Sequence, residues 1–305
     1  MNNIIKNKNN FIQYELWKEC KLGCKFCYNK DQPDIDKLTS LQFVSDKIED
    51  EEVKNYNEMG FIGGEFFNGE LKNDEVKSKF YNLVLKACHI KNIDTVYIAT
   101  SLMYDTDKYL IPFLEYLKNE NVLNKISINT SFDLKYRFNE VTLNLWSDNM
   151  SKLYDLYKIP LHTEIIVTQF FIDAVLNNKF SINNFSNKYH TRIDYIEPYS
   201  GFYYRDRKDF TNNLPDFFPT KNSFIKFLKQ EIENGNIDLK TFLSHEMRSN
   251  TLYYIDNKVH QKLTNKREKC IIIPLDKNKK YESGFIDSNE TLPDVVKQFY
   301  AIYGD

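Results

Sequence analysis

The chain has 305 residues, of which 42% are hydrophobic, and a formal net charge of −2 at pH 7. This length can bury a substantial core and suits one large domain, alone or with an appendage. The near-zero charge excludes a strong overall field of the kind that draws proteins to nucleic acids or membranes. No stretch approaches the roughly 20 apolar residues that span a bilayer, and the polar N-terminus does not resemble a signal peptide. We therefore expect a soluble, cytoplasmic protein without a membrane partner.

Two kinds of apolar segment alternate along the first 200 positions of the chain. Segments with helical spacing are predicted at 40–56, 73–89, 107–117 and 138–157. Six short β-prone runs predict strands at 11–17, 59–62, 95–100, 125–131, 161–168 and 192–197. This alternation predicts βαβ units and an α/β fold, built either as a doubly wound sheet or as an open, partial barrel of parallel strands.

The alternation ends after Pro198. We predict a hairpin over 251–260 with Asp256 and Asn257 at its turn, a short strand that begins at Cys270, and helices at 223–233, 238–248 and 292–302. The predicted organisation is a flexible tail at 1–10, an α/β core at 11–200 and a small α+β extension at 201–305. The extension is expected to serve as a lid or as a substrate-docking surface.

Three of the five cysteines, Cys20, Cys24 and Cys27, lie close together with the spacing C-x3-C-x2-C. Such a group does not resemble the disulfide framework of a secreted protein. Thiolates are soft ligands that select iron–sulfur clusters, zinc or copper(I). A 4Fe–4S cluster normally takes four cysteines, so three would leave one iron for another ligand. The alternative is a zinc site that a distant histidine completes.

Small and polar residues follow three of the predicted strands. The cysteine loop comes after the first strand, Gly63-Gly64-Glu65 after the second, and Thr130-Ser131 at the end of the fourth. The carboxyl ends of parallel strands gather at one edge of a sheet or barrel, where active sites lie. The sequence therefore predicts that these three groups lie together.

The cysteine spacing, Phe26 before the third cysteine and Gly63-Gly64-Glu65 after the second strand together resemble the radical SAM superfamily. The resemblance implies a partial, open (β/α)6 TIM-like barrel. It also implies that Cys20, Cys24 and Cys27 hold an oxygen-sensitive 4Fe–4S cluster, whose remaining iron binds S-adenosylmethionine (SAM). In that family, an electron from a reducing partner such as flavodoxin or ferredoxin cleaves SAM. The resulting 5′-deoxyadenosyl radical takes hydrogen from the substrate.

The resemblance further implies contacts to SAM. The carbonyls of Gly63 and Gly64, together with the Glu65 carboxylate, would accept hydrogen bonds from the methionine ammonium group. Alone, such a tripeptide is more often a simple turn.

Other contacts to SAM are implied around the same edge. Phe26 would pack beside the adenine and Tyr28 close to the cluster, although either could be ordinary core. Ser131 is the preferred ribose contact with Asn129 and Asp133 behind it, unless these residues only cap the strand end. Arg137 would pair with the SAM carboxylate, or it is a solvated residue at a helix start.

The sequence leaves the substrate open. The wide mouth of a partial barrel suits large substrates, and the compact core resembles virus-encoded family members that are associated with modified nucleotides. We expect a nucleotide or DNA base first and a peptide or protein second. Residues 251–303 resemble a SPASM/twitch extension that has lost its cluster cysteines. The alternative from another class is a non-catalytic zinc or Fe–S binding module.

Overall fold

The structure is a computed structural model in which most of the first 196 residues are described. The described ranges there are 10–27, 36–50, 53–54 and 56–196. Further along the chain they are 214–217, 219–220, 250–255, 258–263, 270–272 and 281–283, together with single positions between 223 and 234.

Strands and helices alternate through the first 196 residues, as predicted. The strands are β1 (Asn10–Glu15), β2 (Glu58–Ile62), β3 (Thr95–Ala99), β4 (Ile126–Phe132), β5 (Leu161–Ile166) and β6 (Thr191–Ile196). The helices are α1 (Lys37–Lys47), α2 (Asp74–His89), α3 (Leu110–Asn119), α4 (Glu140–Tyr157), α5 (Gln169–Leu176) and α6 (Ile182–Tyr189). Short 3-10 turns precede α2 at Glu70–Lys72 and β4 at Leu123–Lys125.

The six strands form one parallel sheet in which each strand lies next to its successor along the chain. A doubly wound sheet would reverse its strand order at a switch point. No such reversal occurs here, and the sheet is not closed. The α/β prediction is therefore confirmed, and the architecture is that of a partial, open (β/α)6 barrel.

The burial pattern shows which face of the sheet the helices cover. Along β3 and the first five residues of β5, buried residues alternate with half-buried ones. On β4, Phe132 packs against Trp146 of α4 at 5.1 Å between ring centroids, and the Trp146 indole donates to Thr130. Because strand side chains alternate between faces, Asn129 and Ser131 lie on the face away from the helices.

Local sequence signals explain how the helices begin. Asn73 accepts hydrogen bonds from the backbone N–H groups of Glu75 and Val76, and Asn139 forms a capping box with Thr142 at the start of α4. The predicted first helix was too long, since α1 ends at Lys47 and the chain turns before Val53 and Tyr56 enter the core. The apolar periodicity continued past the helix because these later residues are also buried.

The predicted hairpin is confirmed. It consists of β7 (Asn250–Ile255) and β8 (Lys258–Leu263), which pair in antiparallel fashion, and a second pair joins β9 (Cys270–Ile272) to β10 (Tyr281–Ser283). The attachment of this hairpin to the main sheet was not predicted. Its first strand, β7, lies beside β1, and the two strands run parallel. The predicted helices at 238–248 and 292–302 lie outside the described residues, as do positions 1–9 of the tail predicted at 1–10, whereas Asn10 belongs to β1.

Within the part of the chain that the structure describes, no helix is both long enough and apolar enough to cross a membrane.

Candidate functional site

Two of the predicted site motifs are in direct contact. The parallel pairing of β1 and β2 continues past both strands into the cysteine loop and the glycine turn. The N–H of Gly64 donates to the carbonyl of Trp17 at 2.7 Å, and the N–H of Glu65 donates to the carbonyl of Glu19 at 3.2 Å. Glu19 is the residue before Cys20. The start of the cysteine loop is therefore held by the Gly64-Glu65 backbone.

The two glycines are required by this close approach. A Cβ atom on Gly63 would lie 2.1 Å from the carbonyl oxygen of Trp17, and one on Gly64 would lie 1.9 Å from that of Glu19. Gly63 also has a φ of +147°, which side-chain-bearing residues rarely adopt. The glycines were predicted to let the backbone approach a ligand. In the structure they let it approach the chain's own cysteine loop.

Glu65 is buried at the same strand end, with 2% of its surface exposed. Its Oε1 accepts hydrogen bonds from the Phe67 N–H at 3.1 Å and from the Thr100 hydroxyl at 2.8 Å, while Oε2 accepts one from the Ser101 N–H at 2.6 Å. Burial raises the pKa of this carboxyl, although the three donors act in the opposite direction. A carboxylate has about four acceptor positions, so Oε2 can still accept a hydrogen bond from a ligand.

The end of β3 also belongs to this site, which sequence reasoning missed. Thr100 and Ser101 follow β3 directly and bind Glu65, and the buried phenol of Tyr104 lies 2.7 Å from the Thr100 hydroxyl. Burial, with a smaller contribution from Glu65, raises the pKa of Tyr104 well above its ordinary value. Thr100-Ser101 is a pair of hydroxyl residues at a strand end, as Thr130-Ser131 is, so the same signal was present in the sequence.

An aromatic cluster fixes the residues that follow Glu65. Phe66 and Phe67 are fully buried, and the Phe66 ring lies 4.8 Å from that of Trp17 and 5.3 Å from that of Phe80 on α2. Burying a phenylalanine side chain contributes roughly 1.5–3 kcal/mol. The glycine turn thus lies between a strand and two anchored aromatic residues, which limits its freedom to move.

The three cysteines of the loop lie near one another and near Glu65. Cys24 is buried at 7% exposure, Cys20 and Cys27 are half-buried, and the Cys27 N–H donates to the Cys24 carbonyl at 3.2 Å. Burial raises the pKa of the Cys20 thiol to about 12, and Glu65, Cys27 and Cys24 each add a smaller electrostatic contribution. The loop therefore brings three thiols and a carboxyl within electrostatic range.

Among the described residues, no three His, Cys, Asp or Glu side chains lie close enough to bind a single metal ion. This criterion describes a site in which all the side chains bind the same metal ion. The cysteines of a 4Fe–4S cluster each bind a different iron atom, so the cluster sets their separation. The donor set, three thiols on one loop, is the kind that such clusters take.

The polar residues of β4 have different surroundings. Asp133 is buried, and its Oδ1 accepts hydrogen bonds from the backbone N–H groups of Lys135, Tyr136 and Arg137. It therefore caps the loop after β4, which was the predicted alternative to a contact with the ribose. Ser131 is half-buried on the open face, opposite Glu164 of β5 in the sheet register. Its role and that of Asp133 as ribose contacts remain predictions.

Several buried polar atoms near this edge have no hydrogen-bond partner among the described residues. They include Oδ1 of Asn129, an acceptor, and Nε of Arg137, a donor. Leaving such an atom unpaired costs about 1–3 kcal/mol. A SAM molecule has ribose hydroxyls that could donate to Asn129 and a carboxylate that could accept from Arg137. Asn129 and Arg137 therefore fit SAM, the predicted ligand.

Arg137 also connects β4 with the cysteine loop. Its guanidinium lies 5.2 Å from the centre of the Phe26 ring, within the range of cation–π attraction. Phe26, predicted to pack beside the adenine, is buried at 3% exposure and contacts Phe217, a residue that follows the predicted core. Tyr28 lies outside the described residues. The structure thus brings the cysteine loop together with β2, β3 and β4 at their carboxyl ends.

The raised pKa of Cys20 leads to a pH prediction for the metal-free protein. Between pH 7 and pH 10, the alkylation rate of Cys20 by iodoacetamide should rise about tenfold per pH unit, because only the thiolate reacts. The Cys20 pKa is about 12 in the folded chain and has its ordinary value of 9.0 in the unfolded chain. The neutral thiol therefore contributes fully to the stability of the fold below pH 9.0, and this contribution is lost as the pH rises toward about 12. Mass spectrometry of the alkylated peptide measures the rate. A plateau of the rate near pH 9 would contradict the prediction.

In comparisons with known proteins, no family model matches the chain, and no curated protein matches it.

Proposed function

We propose that the chain is a radical SAM enzyme. Cys20, Cys24 and Cys27 would hold a 4Fe–4S cluster, and the edge formed by the ends of β1 to β4 would hold SAM. When bound, these two groups supply an electron donor and a cleavable sulfonium, the source of a radical that can take hydrogen from an unreactive carbon. Cofactors carry chemistry of this kind, while the protein binds, orients and excludes water.

One observation carries the proposal. The cysteine loop and Gly63-Gly64-Glu65 are distant in sequence, yet the backbone of Gly64 and Glu65 binds the residues just before Cys20. A zinc-binding loop whose function did not involve Gly63-Gly64-Glu65 would not need this contact. Two motifs that serve one chemistry would need it, because cluster and SAM must lie side by side.

The chain's own residues have distinct tasks in this proposal. The Glu65 carboxylate, oriented by Thr100 and Ser101, would accept a hydrogen bond from the SAM ammonium through its Oε2. That ammonium would also supply a positive charge beside a buried carboxyl, which favours the ionised form. Asn129 and Arg137 would bind the ribose and the carboxylate of SAM.

Anaerobic reconstitution with iron and sulfide tests the cofactor. A cluster-bearing protein should be brown, with absorbance near ~400 nm, and dithionite with SAM should yield 5′-deoxyadenosine. The rival reading, a structural zinc module, predicts a colourless protein that binds zinc with high affinity and does not cleave SAM. A colourless, zinc-loaded protein would refute the proposal.

The substrate proposal is a nucleotide or DNA base, with a peptide or protein as the second candidate. Deuterium-labelled nucleotide, DNA and peptide pools would each be offered to the reconstituted enzyme. The pool that passes deuterium into 5′-deoxyadenosine contains the substrate. Transfer from the peptide pool alone would overturn the nucleotide assignment while leaving the radical SAM assignment intact.

Substitution of Glu65 tests its contact with SAM. Glu65→Gln should weaken SAM binding at least tenfold, because the amide carries no charge for the ammonium. It should also lower the free energy of unfolding by roughly 1–3 kcal/mol, since an amide N–H would face the Ser101 N–H. Equilibrium dialysis with labelled SAM and urea unfolding measure the two effects.

The matched control is Glu75→Gln, which removes an exposed carboxylate at the start of α2. It should change neither quantity. If Glu65→Gln loses stability but binds SAM normally, Glu65 is structural and the SAM contact is wrong.

A further inference from the structure

A small aromatic cluster, separate from the main core, includes one residue of the cysteine loop. It consists of Phe26, Tyr136, Ile166 and Phe217, with Leu214 packed at its edge. These residues come from the cysteine loop, the loop after β4, the end of β5 and a segment well beyond β6. We call it the bridging cluster, because it joins the distant segment 214–217 to the cysteine loop.

Phe217 and Arg137 together enclose the Phe26 side chain. Phe217 is fully buried, at 0% exposure, and its ring lies 5.9 Å from that of Phe26 and 6.0 Å from that of Tyr136. The Arg137 guanidinium lies 5.2 Å from the Phe26 ring. Because Phe26 lies between Cys24 and Cys27 in sequence, whatever fixes its ring also restricts both thiols.

Polar contacts hold Phe217 in place. The carboxylate of its neighbour Asp216 pairs with the Lys135 ammonium at 2.8 Å, and the carbonyl of Asp216 accepts from the Phe170 N–H at 3.1 Å. Asp216 has a φ of +59°, in the left-handed region that few residues other than glycine adopt. A backbone in that conformation is retained only where its surroundings enforce it.

A second set of contacts fixes the chain just after Phe217. The Gln169 side-chain oxygen accepts from the Thr220 N–H at 2.8 Å and from the Ser223 hydroxyl at 2.6 Å. Gln169 is the first residue of α5. The segment is thus attached on both sides of Phe217 to elements of the barrel core.

We infer that Phe217 is a positioning residue for the cysteine loop. Its ring fills the space against Phe26, which holds the Cys24–Cys27 turn in place and so keeps Cys24 packed in the main core. Asp216 and Lys135 fix the ring by fixing the backbone beside it. The role in cluster binding rests on the proposed function, whereas the restraint of the turn does not.

Alkylation of the metal-free protein at one fixed pH tests the inference. Phe217→Ala should raise the rate at which iodoacetamide modifies Cys24 by at least tenfold, because the turn that keeps Cys24 packed in the main core loses its restraint. Cys88, buried at 1% exposure in α2, serves as an internal reference. Its rate should stay unchanged if the opening is local. Peptide mass spectrometry follows both thiols in one sample.

Two further variants separate positioning from general loss of packing. Phe217→Leu keeps most of the apolar volume and should restore a near-normal Cys24 rate. Phe180→Ala removes a ring of the same size that packs against Phe132, Phe171 and Phe185, away from the loop. It should leave Cys24 protected. An unchanged Cys24 rate in Phe217→Ala, or a parallel rise at Cys88, would overturn the inference.

The salt bridge between Lys135 and Asp216 provides a second test, with a smaller expected effect. Its two side chains are partly exposed, at 30% for Lys135 and 51% for Asp216, and exposed pairs contribute little. Lys135→Met should therefore raise the Cys24 rate by only about two- to fivefold. An effect as large as that of Phe217→Ala would assign the positioning to the salt bridge and overturn the role of the ring.

Iron–sulfur reconstitution then tests the functional part. Phe217→Ala should bind less iron per chain and show a changed electron paramagnetic resonance signal on addition of SAM, and Phe217→Leu should restore both. If the wild-type chain binds no cluster, the proposed function fails, and the alkylation result still decides whether Phe217 positions the loop. If the wild type binds a cluster and Phe217→Ala binds it identically, the cluster-positioning role is wrong.

Discussion

Replacing Cys24 by alanine is expected to abolish both the iron–sulfur absorbance and the formation of 5′-deoxyadenosine. Only three cysteines lie in the loop, so the variant has two thiolates left for the cluster. Cys24 is also the most buried of the three, and its carbonyl accepts the Cys27 N–H. The activity should fall below detection, at least 1,000-fold, as expected when an essential cofactor is lost. Anaerobic absorbance and chromatography measure the two losses.

Cys88→Ala is the matched control. Cys88 is also buried, but it lies in α2 among apolar neighbours, and burial raises the pKa of its thiol to about 12. It should behave as a small hydrophobic residue. Its replacement should leave cluster content and SAM cleavage unchanged. Full SAM cleavage by the Cys24 variant would refute the cluster assignment.

Gly64→Ala is expected to be severely destabilising and to disrupt the cysteine loop. The new methyl group would lie 1.9 Å from the carbonyl oxygen of Glu19 and 2.6 Å from its carbonyl carbon. These are backbone atoms, so no side-chain rotation can relieve the overlap. We expect a loss of at least about 3 kcal/mol in the free energy of unfolding, at the upper end of overpacking effects. Urea unfolding measures it.

Gly23→Ala provides the comparison within the same loop. No atom lies within 4 Å of a Cβ built at Gly23, although its φ is +66°. The cost should therefore be that of the backbone conformation alone, about 1–2 kcal/mol. Equal losses in the two variants would mean that steric contact with Glu19 is not what the glycine avoids.

Local signals in the sequence were sufficient to predict most of the core. Alternating runs located the six strands, and the predicted helix starts at 73 and 138 lie within two residues of the observed starts of α2 and α4. The rule that parallel strands share an edge brought the cysteine loop and Gly63-Gly64-Glu65 together correctly. These features could be predicted because each depends on residues that are near in sequence or on the topology alone.

The missed features depend on contacts between distant residues. Nothing local to Thr100 shows that its hydroxyl donates to a carboxylate that follows the preceding strand. Likewise, Phe217 lies in a turn-rich stretch with no periodic pattern, and its burial depends on Phe26 and Tyr136. The close approach of Gly64 to Glu19 was also not predicted, because the sequence does not reveal which surface comes within contact distance.

The position of β1 between β2 and β7 has a consequence for the order in which the protein is made. The strand that leads into the cysteines emerges from the ribosome early, whereas the strand that completes its pairing comes from residues 250–255. Contacts between such distant segments form late in folding. A nascent chain would hold its cysteine strand with one edge exposed until residues 250–255 have been made. In the proposed function, insertion of a cluster into a fully ordered loop would therefore follow the synthesis of β7.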